Sequence, residues 1–368
     1  MIIPQNVLFI KLGSLGDIVL TIPALAMLRK TYPHARLSFM VSDSCEALVR
    51  RIRYVDEVIV TPDLGAGKSI SQRVSDGITA LKFVYSLRER KYDVAINTLR
   101  NPVFALMCYI AGIREIITFN SGQLDPFSTR RVPFDLNKHH MMRIFDLVEV
   151  LGVPKNSVLP PDGIEILQED IDRATELLRR EGIGATSLVV CSSPGGGSNP
   201  WAEMPSKRWN SERFARLYEL LQRDFDARTV LLGSKTDTGT ADKILKETKA
   251  KVLNLTGKTS LIETMAILKM SHLYIGNDSG PLFIAAAVGT PTLAIFGPTD
   301  ASVINPPGRL NVAAQSPADC SPCYNPLEGL EGRAYKCNSY KCMAEISMEK
   351  VFQAASELLT QSKQRPGS

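Results

Sequence analysis

Two polar turns in this chain place residues that could do chemistry directly behind apolar strands. The first turn is Gly13-Ser14-Leu15-Gly16-Asp17, which follows an apolar run that ends at Lys11. The second turn is Gly276-Asn277-Asp278-Ser279-Gly280-Pro281, which opens an alanine-rich helix that stops at Gly289. The first turn offers a carboxylate, and the second offers the backbone N–H groups of a helix start. These groups suggest proton removal at one turn and anion binding at the other.

The second turn has the features of a phosphate site. Proline suits the first turn of a helix, because the N–H group that it lacks would have no partner there. The backbone N–H groups around Ser279, Gly280, Pro281 and Leu282 would then point outward from the positive end of a helix, which suits a phosphate. A second strand, Thr292–Phe296, follows at once. We therefore predict a phosphorylated ligand in the C-terminal half.

The first turn resembles a dinucleotide-binding fingerprint but lacks its third glycine. Asp17 also stands where a pyrophosphate would need N–H donors, and like charges oppose each other strongly in a cleft of low dielectric. We therefore interpret Asp17 as a group that accepts a proton. The alternative is that Asp17 only caps the helix that follows it.

Strand and helix patterns alternate along the chain, which predicts parallel sheets covered on both faces. The strand Val7–Lys11 precedes an apolar helix over Ile18–Arg29, and a loop at 64–75 precedes a helix over 78–90. A proline-rich segment at 154–161 marks the predicted linker. We predict an α/β protein with two doubly wound, Rossmann-like domains, residues 1–165 and 166–345, and a C-terminal helix and tail at 346–368. Because ligands bind at the carboxyl ends of strands in such sheets, we expect the site in a cleft between the domains.

Composition narrows the class of protein. The chain has 368 residues, 44% of them apolar, and a formal net charge of +5. This charge favours acidic ligands or an anionic membrane surface but falls short of a nucleic-acid signature. No run reaches the roughly 20 apolar residues that span a bilayer, so we expect no transmembrane segment and a cytoplasmic location.

Four of the seven cysteines crowd into one stretch near the C-terminus: Cys320, Cys323, Cys337 and Cys342. Their spacing, C-x₂-C followed by C-x₄-C, is compatible with a tetrahedral zinc site. A disulfide is disfavoured in a reducing cytoplasm. We favour reduced thiols in a folded loop over a structural zinc site, and we predict no cofactor for the reaction.

The motifs of this chain, in their order and spacing, resemble those of glycosyltransferase family 9, the lipopolysaccharide heptosyltransferases. The resemblance runs from the first strand to the last helix. It rests on four motifs: Lys11–Asp17 with Pro23, Pro194-Gly195, Lys207-Arg208-Trp209, and the segment from Gly276–Pro281 through Gly289-Thr290-Pro291 to Phe296–Asp300.

The resemblance implies a GT-B fold and a role for each matching residue. Asp17 corresponds to the catalytic base and Lys207 to a lysine that contacts the donor phosphates. Asp278 corresponds to an acid beside the donor sugar, and Ser279 to Leu282 correspond to the phosphate-binding helix start. Asp237 lies near the position that contacts the nucleotide ribose. Family members often carry histidine where this chain has Phe283. This departure bears on the identity of the donor sugar more than on the type of reaction.

The acceptor side is indicated by a basic group in the first half together with the first turn. Gly13, Ser14, Arg100, Arg130, Arg131 and His140 are the predicted acceptor-binding residues, with Lys138 and His139 beside them. A carboxylate- or phosphate-bearing lipid-linked saccharide, such as a Kdo-containing acceptor at the inner membrane surface, would match this charge. An ordinary solvated face is the alternative.

Taken together, the residues and the resemblance predict an inverting, metal-independent glycosyltransferase that moves a heptose from an ADP-linked donor onto inner-core lipopolysaccharide. A positioned carboxylate would remove the acceptor proton, and Lys207 with the helix start would meet the charge of the departing diphosphate. The alternatives are a hexosyltransferase or a nucleotide-sugar epimerase on the same fold. A nicotinamide-dependent oxidoreductase, suggested by Asp43, and a non-catalytic sugar-nucleotide binding module are further alternatives.

Overall fold

The computed structural model describes residues 3–62, 70–120, 122, 124–155, 161–199 and 202–362, with the backbone alone described at 70–76, 198–199 and 202. The chain divides into two compact units, Met1–Leu159 and Pro160–Ser368. The domain boundaries predicted from the sequence, at 165/166 and 345/346, remain predictions.

The first unit is built on a six-stranded parallel sheet with the strand order β3-β2-β1-β4-β5-β6. Its core strands are almost entirely apolar because helices cover both faces of such a sheet. The strands are β1 (Asn6–Ile10), β2 (Arg36–Val41), β3 (Glu57–Val60), β4 (Val94–Asn97), β5 (Glu115–Phe119) and β6 (Arg130–Val132).

The helices of the first unit differ from the prediction in two places. They are α1 (Leu15–Val19), α2 (Ile22–Thr31), α3 (Asp43–Val49), α4 (Ile70–Glu89), α5 (Pro102–Ile110) and α6 (His140–Glu149). The single helix predicted over Ile18–Arg29 is two helices, because Pro23 fits only the first turn of a helix and lies there in α2. The predicted loop at 64–75 is helical from residue 70, while 64–69 lie outside the described residues.

The second unit repeats the architecture with a six-stranded parallel sheet in the order β11-β10-β7-β12-β13-β14. A two-stranded antiparallel ribbon, β8 with β9, follows β7. The strands are β7 (Val189–Ser193), β8 (Ser198–Asn199), β9 (Ala202–Glu203), β10 (Arg228–Leu231), β11 (Val252–Asn254), β12 (Leu273–Asn277), β13 (Thr292–Phe296) and β14 (Asn311–Gln315).

Helices flank the second sheet, and the final helix belongs to its core. Val351, Ala355 and Leu359 of that helix are buried in the same apolar cluster as Trp209 and Phe214. The helices are α7 (Gln168–Arg180), α8 (Ser211–Phe225), α9 (Thr238–Glu247), α10 (Leu261–Met270), α11 (Gly280–Ala287), α12 (Ala301–Ile304), α13 (Lys341–Ala344) and α14 (Met348–Ser362).

Each sheet has one point where the strand order reverses. In the first unit this point lies between β1 and β4, and in the second it lies between β7 and β12. Open α/β sheets bind ligands beyond the carboxyl ends of the strands at such a switch point. The Asp17 turn follows β1, and the Asp278 turn follows β12. Each turn therefore lies at the switch point of its own sheet.

Candidate active site

The second unit joins the ends of its two central strands through one buried amide. Asn277, the last residue of β12, is fully buried. Its Nδ2 donates to the carbonyl oxygens of Pro194 and Gly195 at 2.7 and 2.9 Å, and its Oδ1 accepts from the Trp209 N–H at 3.2 Å. This amide therefore fixes the loop after β7 and the backbone at Trp209, two residues after Lys207, relative to the Asp278 turn.

Lys207 and Asp278 form a largely buried ion pair at this point. The Lys207 Nζ donates to Asp278 Oδ2 at 2.6 Å, and Thr299 Oγ1 donates to the same oxygen at 2.8 Å. The Asp278 side chain is 4% exposed and the Lys207 side chain 17% exposed. Two donors on one oxygen hold the carboxylate still, while the ammonium keeps a path to solvent.

An aromatic ring completes the surroundings of the Lys207 ammonium. Its Nζ lies 5.4 Å from the centroid of the Tyr324 ring, within cation–π range. The carboxylate and the ring thus hold the lysine head group in place. They do not occupy all of its hydrogen-bond donors, because an ammonium has three N–H groups. Such a group can still donate to an anionic ligand.

The helix behind this pair starts as the sequence predicted. α11 begins at Gly280 with Pro281 in its first turn, and Ser279 occupies the N-cap position. The Ser279 side chain donates to the Asn277 carbonyl at 3.3 Å and does not cap the helix. Since no cap side chain from Ser279 covers the first turn, the positive helix end is presented beside Lys207.

A glycine-rich loop brings further backbone to the same place. Gly196 and Gly197, after β7, have φ angles of +97° and +70°. A Cβ on Gly196 would lie 2.8 Å from the Cβ of Ser279, so only glycine allows this approach to the helix start. The loop therefore packs directly against the start of α11. Together with α11, the loop forms what we call the phosphate cradle, Gly195–Gly197 with Ser279–Leu282.

Asp237 organises this loop from the side. Its Oδ1 accepts from the Gly196 N–H at 3.0 Å, and its Oδ2 accepts from the N–H and hydroxyl of Ser234 at 2.8 and 2.7 Å. Gly195 packs so closely on this carboxylate that a Cβ there would collide with it. The predicted contact of Asp237 with a ribose remains a prediction, and its observed partners are within the protein.

In the first unit, Asp17 lies in the first turn of α1, whose N-cap residue is Ser14. The Asp17 Oδ2 accepts from Lys11 Nζ at 2.8 Å. The side chain of Asp17 is 29% exposed, whereas that of Lys11 is 10% exposed. The carboxylate is therefore the member of the pair that a solvent molecule or substrate can reach.

Two side chains of α6, the cationic Arg143 and the neutral His140, interact electrostatically with Asp17. Arg143 is 6% exposed, its Nε donates to the Lys138 carbonyl at 3.0 Å, and it lies over the Phe134 ring at 4.9 Å. Burial lowers the pKa of His140 to about 4, with Asp17 opposing this shift and Lys11 and Arg143 adding to it. His140 is thus a neutral imidazole at pH 7, and its buried Nε2 has no hydrogen-bond partner among the described residues.

The structure places the three predicted acceptor-binding arginines in three different surroundings. Arg100 stacks on the Phe134 ring at 4.7 Å, and Arg143 lies over the same ring. Arg130 pairs with Glu115 at 3.0 Å and is exposed. Its neighbour Arg131 lines a different feature, a pocket of about 530 Å³ that also contains Lys138, Asp146 and Lys155. The role of Gly13, Ser14, Arg100, Arg130, Arg131 and His140 in acceptor binding remains a prediction.

The four C-terminal cysteines lie around one pocket in the second unit. Cys320, Cys323 and Cys337 are half-buried and Cys342 is buried, and all four are free thiols. In the described part of the chain, no group of three or more His, Cys, Asp or Glu side chains is placed to hold a metal ion. Within that same part, no helix has the length and apolar character needed to cross a membrane.

Comparison with known proteins decides the family. Residues 80–332 match the family model of glycosyltransferase family 9 (heptosyltransferase). The chain belongs to this family. It is 27% identical over 304 residues to lipopolysaccharide heptosyltransferase 3 of Escherichia coli K12, covering 77% of this chain and 80% of that one. The predicted family and the predicted enzyme class, a glycosyltransferase, are therefore confirmed.

Solved structures confirm the predicted GT-B fold class. A family 9 glycosyl transferase from Veillonella parvula superposes with a TM-score of 0.81 and 25% identity, covering 97% of this chain and 98% of that chain. The E. coli ADP-heptose LPS heptosyltransferase II superposes with a TM-score of 0.77 and 20% identity, covering 98% and 100%.

Sequence reasoning missed several side chains that complete the two pairs. Lys11 and Thr299 stood inside quoted motifs, but nothing in the motifs showed that each would contact an aspartate. Tyr324 lies in the cysteine-rich stretch, far along the chain from Lys207, and no local pattern signals their contact. Arg143 lies on the buried face of α6, where a charged residue at an apolar position was the available signal.

Proposed function

We propose that this glycosyltransferase moves a heptose from an ADP-linked donor onto the inner core of lipopolysaccharide, with inversion at the anomeric carbon and without a catalytic metal. The observation that carries the proposal is the phosphate cradle with Lys207 at the switch point of the second sheet. Family membership supports the reaction type, and the names of its relatives support the sugar.

The cradle supplies what a departing nucleoside diphosphate needs. Negative charge grows on the leaving group as the glycosidic bond breaks, and preorganised donors aimed at that charge stabilise the transition state. Lys207 contributes a full positive charge, while the start of α11 contributes backbone N–H groups. Since these groups can meet the developing charge, the reaction has no need of a metal at this step.

We propose that Asp278 positions Lys207. Its carboxylate is buried and accepts from both Lys207 and Thr299, so it holds the ammonium at the cradle. A contact with the donor sugar, which the family resemblance implies, is a further proposal for this residue. Phe283 is 3% exposed within α11 and packs in the core.

We assign the proton removal to Asp17. Its carboxylate is partly exposed and paired with Lys11, and a neighbouring cation favours the charged form of a carboxylate, which is the form that can accept a proton. A positioned base of this kind contributes about 10²–10⁴-fold to the rate. A single base acting on the acceptor, with no covalent intermediate, gives inversion by the logic established for glycosidases.

For the acceptor we propose a lipid-linked saccharide that carries carboxylates or phosphates. Arg143 interacts electrostatically with Asp17, and Arg100 shares the Phe134 ring with it. These two groups supply positive charge, and guanidinium groups match carboxylate and phosphate geometry. We also propose that the protein works at the cytoplasmic face of the inner membrane. Sedimentation with vesicles that contain the acceptor, compared with vesicles of neutral lipid, tests this location.

The test of function is a transfer assay with ADP-heptose and a Kdo-containing lipid acceptor, read by ADP release and by product mass. We expect a product heavier by one heptose and ADP release that depends on acceptor. ADP-hexose and UDP-hexose donors test the hexosyltransferase alternative, which the Phe283 position raises. Donor incubated without acceptor tests the epimerase alternative, since an epimerase would alter or release the sugar alone. Transfer from a hexose donor only, or no transfer at all, would contradict the proposal.

A further inference from the structure

A long irregular segment follows the last strand of the second unit. Between β14 and α13 the chain runs from residue 316 to residue 340, and its only regular element is the 3₁₀ turn Gly329–Glu331. Structureless loops longer than about 12–15 residues are uncommon in compact domains and are usually functional. Apolar burial does little to hold the middle of this segment, because Leu327 and Leu330 are 48% and 54% exposed.

The four cysteines stand at the two ends of this segment. Cys320 and Cys323 lie near its start, and Cys337 and Cys342 lie at its end. All four side chains line one pocket of about 360 Å³. The Cys342 thiol is within electrostatic range of the other three. Two distant pieces of chain thus bring four soft ligands to a common space.

We propose that Cys320, Cys323, Cys337 and Cys342 together bind one thiophilic metal ion, zinc or iron, in a tetrahedral thiolate site. Four sulfur ligands in this arrangement select these metals. Arg333 lines the same pocket, and its charge offsets part of the net negative charge of four thiolates around a dipositive ion, whereas Lys336 and Lys341 are paired with Glu331 and Asp319. The site ties both ends of the irregular segment together.

The thiols are not gathered at coordination distance in the structure, since no group of three or more ligands is placed to hold a metal. Metal entry therefore requires the side chains to turn toward a common centre. The pocket between them leaves room for this rotation, and three of the four residues are only half-buried.

The same segment contacts Lys207 and the residues around it. The N–H groups of Cys323 and Tyr324 both donate to the Pro298 carbonyl at 2.8 Å, and the Tyr324 ring lies over the Lys207 ammonium. The Ser206 hydroxyl donates to the Ala334 carbonyl at 2.7 Å. A metal that fixes this segment would hold Tyr324 against Lys207, and so would hold the lysine beside the phosphate cradle. This last step rests on the proposed function of Lys207.

The metal content of the full-length protein, purified without a histidine tag, tests the site. Elemental analysis should find close to one zinc or iron ion per chain, and reconstitution with Co²⁺ should give the visible bands of a tetrahedral tetrathiolate. Cys320→Ser and Cys337→Ser should each lose most of the metal. Cys45→Ser, which removes a buried thiol of the first unit, is the matched control and should retain it.

Several results would overturn the site. These are protein without bound metal that gives no tetrahedral bands on addition of Co²⁺, or a loss of metal in Cys45→Ser equal to that in Cys320→Ser. A thiol titration of the unfolded, unreduced protein that finds fewer than the seven cysteines of the sequence, in a metal-free sample, would assign the cluster to disulfides.

The coupling to the cradle has its own readout. ADP affinity of metal-free Cys323→Ser, measured by calorimetry, should be at least several-fold weaker than that of the metal-loaded wild type. Unchanged ADP affinity would overturn the coupling. Failure of the proposed function would show differently, as metal-loaded wild-type protein that transfers no sugar.

Discussion

Each unit places a lysine–aspartate ion pair beside the switch point of its sheet, but the two pairs are exposed in opposite senses. In the first unit the Lys11–Asp17 distance is 2.8 Å, and the aspartate is the more exposed partner, at 29% against 10%. In the second unit the Lys207–Asp278 distance is 2.6 Å, and the lysine is the more exposed partner, at 17% against 4%.

The difference shows how one kind of pair can serve two purposes. A buried lysine beside an accessible carboxylate keeps that carboxylate charged and available to a proton. A buried carboxylate beside an accessible lysine keeps the ammonium charged, oriented and available to an anion. The exposure of the two pairs thus matches the base proposed in the first unit and the phosphate contact proposed in the second, and most of the predictions below act on a member of one pair.

The largest effect is expected for Asp17→Asn, which removes the proposed base with little change in shape. The turnover number should fall by about 10²–10⁴-fold. The affinity for ADP should stay within a few-fold, because the cradle lies in the other unit. Transfer kinetics with calorimetry of ADP binding measures both quantities.

The matched control is Asp43→Asn, an exposed acid in the first turn of α3, which likewise follows a strand of the first sheet. It should leave transfer unchanged. Full activity of Asp17→Asn would remove the assigned base, and loss of nicotinamide binding in Asp43→Asn would instead favour the oxidoreductase alternative.

The next effect is expected for Lys207→Met, which keeps the length of the side chain but removes its charge. Catalytic efficiency should fall by roughly 10²-fold, in the range found when one preorganised donor is lost. ADP affinity should weaken as well, in contrast to Asp17→Asn. Lys235→Met, at an exposed lysine in the loop after β10, should alter neither quantity.

Loss of Lys207 also leaves Asp278 buried without its cationic partner, which destabilises the fold. The double variant Lys207→Met/Asp278→Asn separates this effect from catalysis. It should regain stability in thermal unfolding but not activity. Recovery of activity in the double variant would show that Lys207 acts only through stability.

A smaller effect is expected for Lys11→Met, which leaves Asp17 in place but removes its cation. A carboxylate without a nearby positive charge is easier to protonate. The acidic limb of the pH profile of kcat/KM should therefore move to higher pH, with little change at high pH. Lys11→Arg should restore the wild-type profile. An unchanged profile in Lys11→Met would mean that the pair does not tune the base.

Comparison of sequence and structure shows which parts of these pairs local pattern can predict. Asp17, Asp278 and the start at Pro281 stand in turns whose residues are contiguous, so strand, turn and helix signals locate them. The alternation of strands and helices similarly predicts both sheets. The splitting of the helix at Pro23 could also be read locally, since proline is confined to the first turn.

Partners that come from distant segments could not be predicted in this way. Lys207 meets Asp278 and Tyr324 only because β7, β12 and the irregular segment after β14 converge at one sheet end, and Arg143 reaches the Asp17 turn from α6. The register and packing of whole elements determine such contacts. A resemblance to known sequences supplied the role of Lys207, but it supplied neither Thr299 nor Tyr324.

The smallest expected effect is a loss of stability at acid pH, which should affect the first unit and not the second. Burial is the main cause that lowers the pKa of His140 to about 4, and Lys11, Arg143 and His139 add to it while Asp17 opposes it. An unfolded histidine has a pKa of about 6.5, so the folded chain binds this proton less readily than the unfolded chain does. The resulting stability is complete above pH 6.5 and is lost as the pH falls toward 4.

The first unit should therefore lose roughly 2 kcal/mol of stability over that interval, at about 1.4 kcal/mol per pH unit and with a discount for the partial exposure of the residue. His140→Asn should flatten the dependence, whereas His34→Asn, at an exposed histidine of the same unit, should not. Hydrogen exchange at pH 7 and pH 5 can follow the amides of β1 and β12 separately. Equal acid sensitivity of the two strands, or the same slope in His140→Asn as in the wild type, would show that His140 does not set the acid response of the first unit.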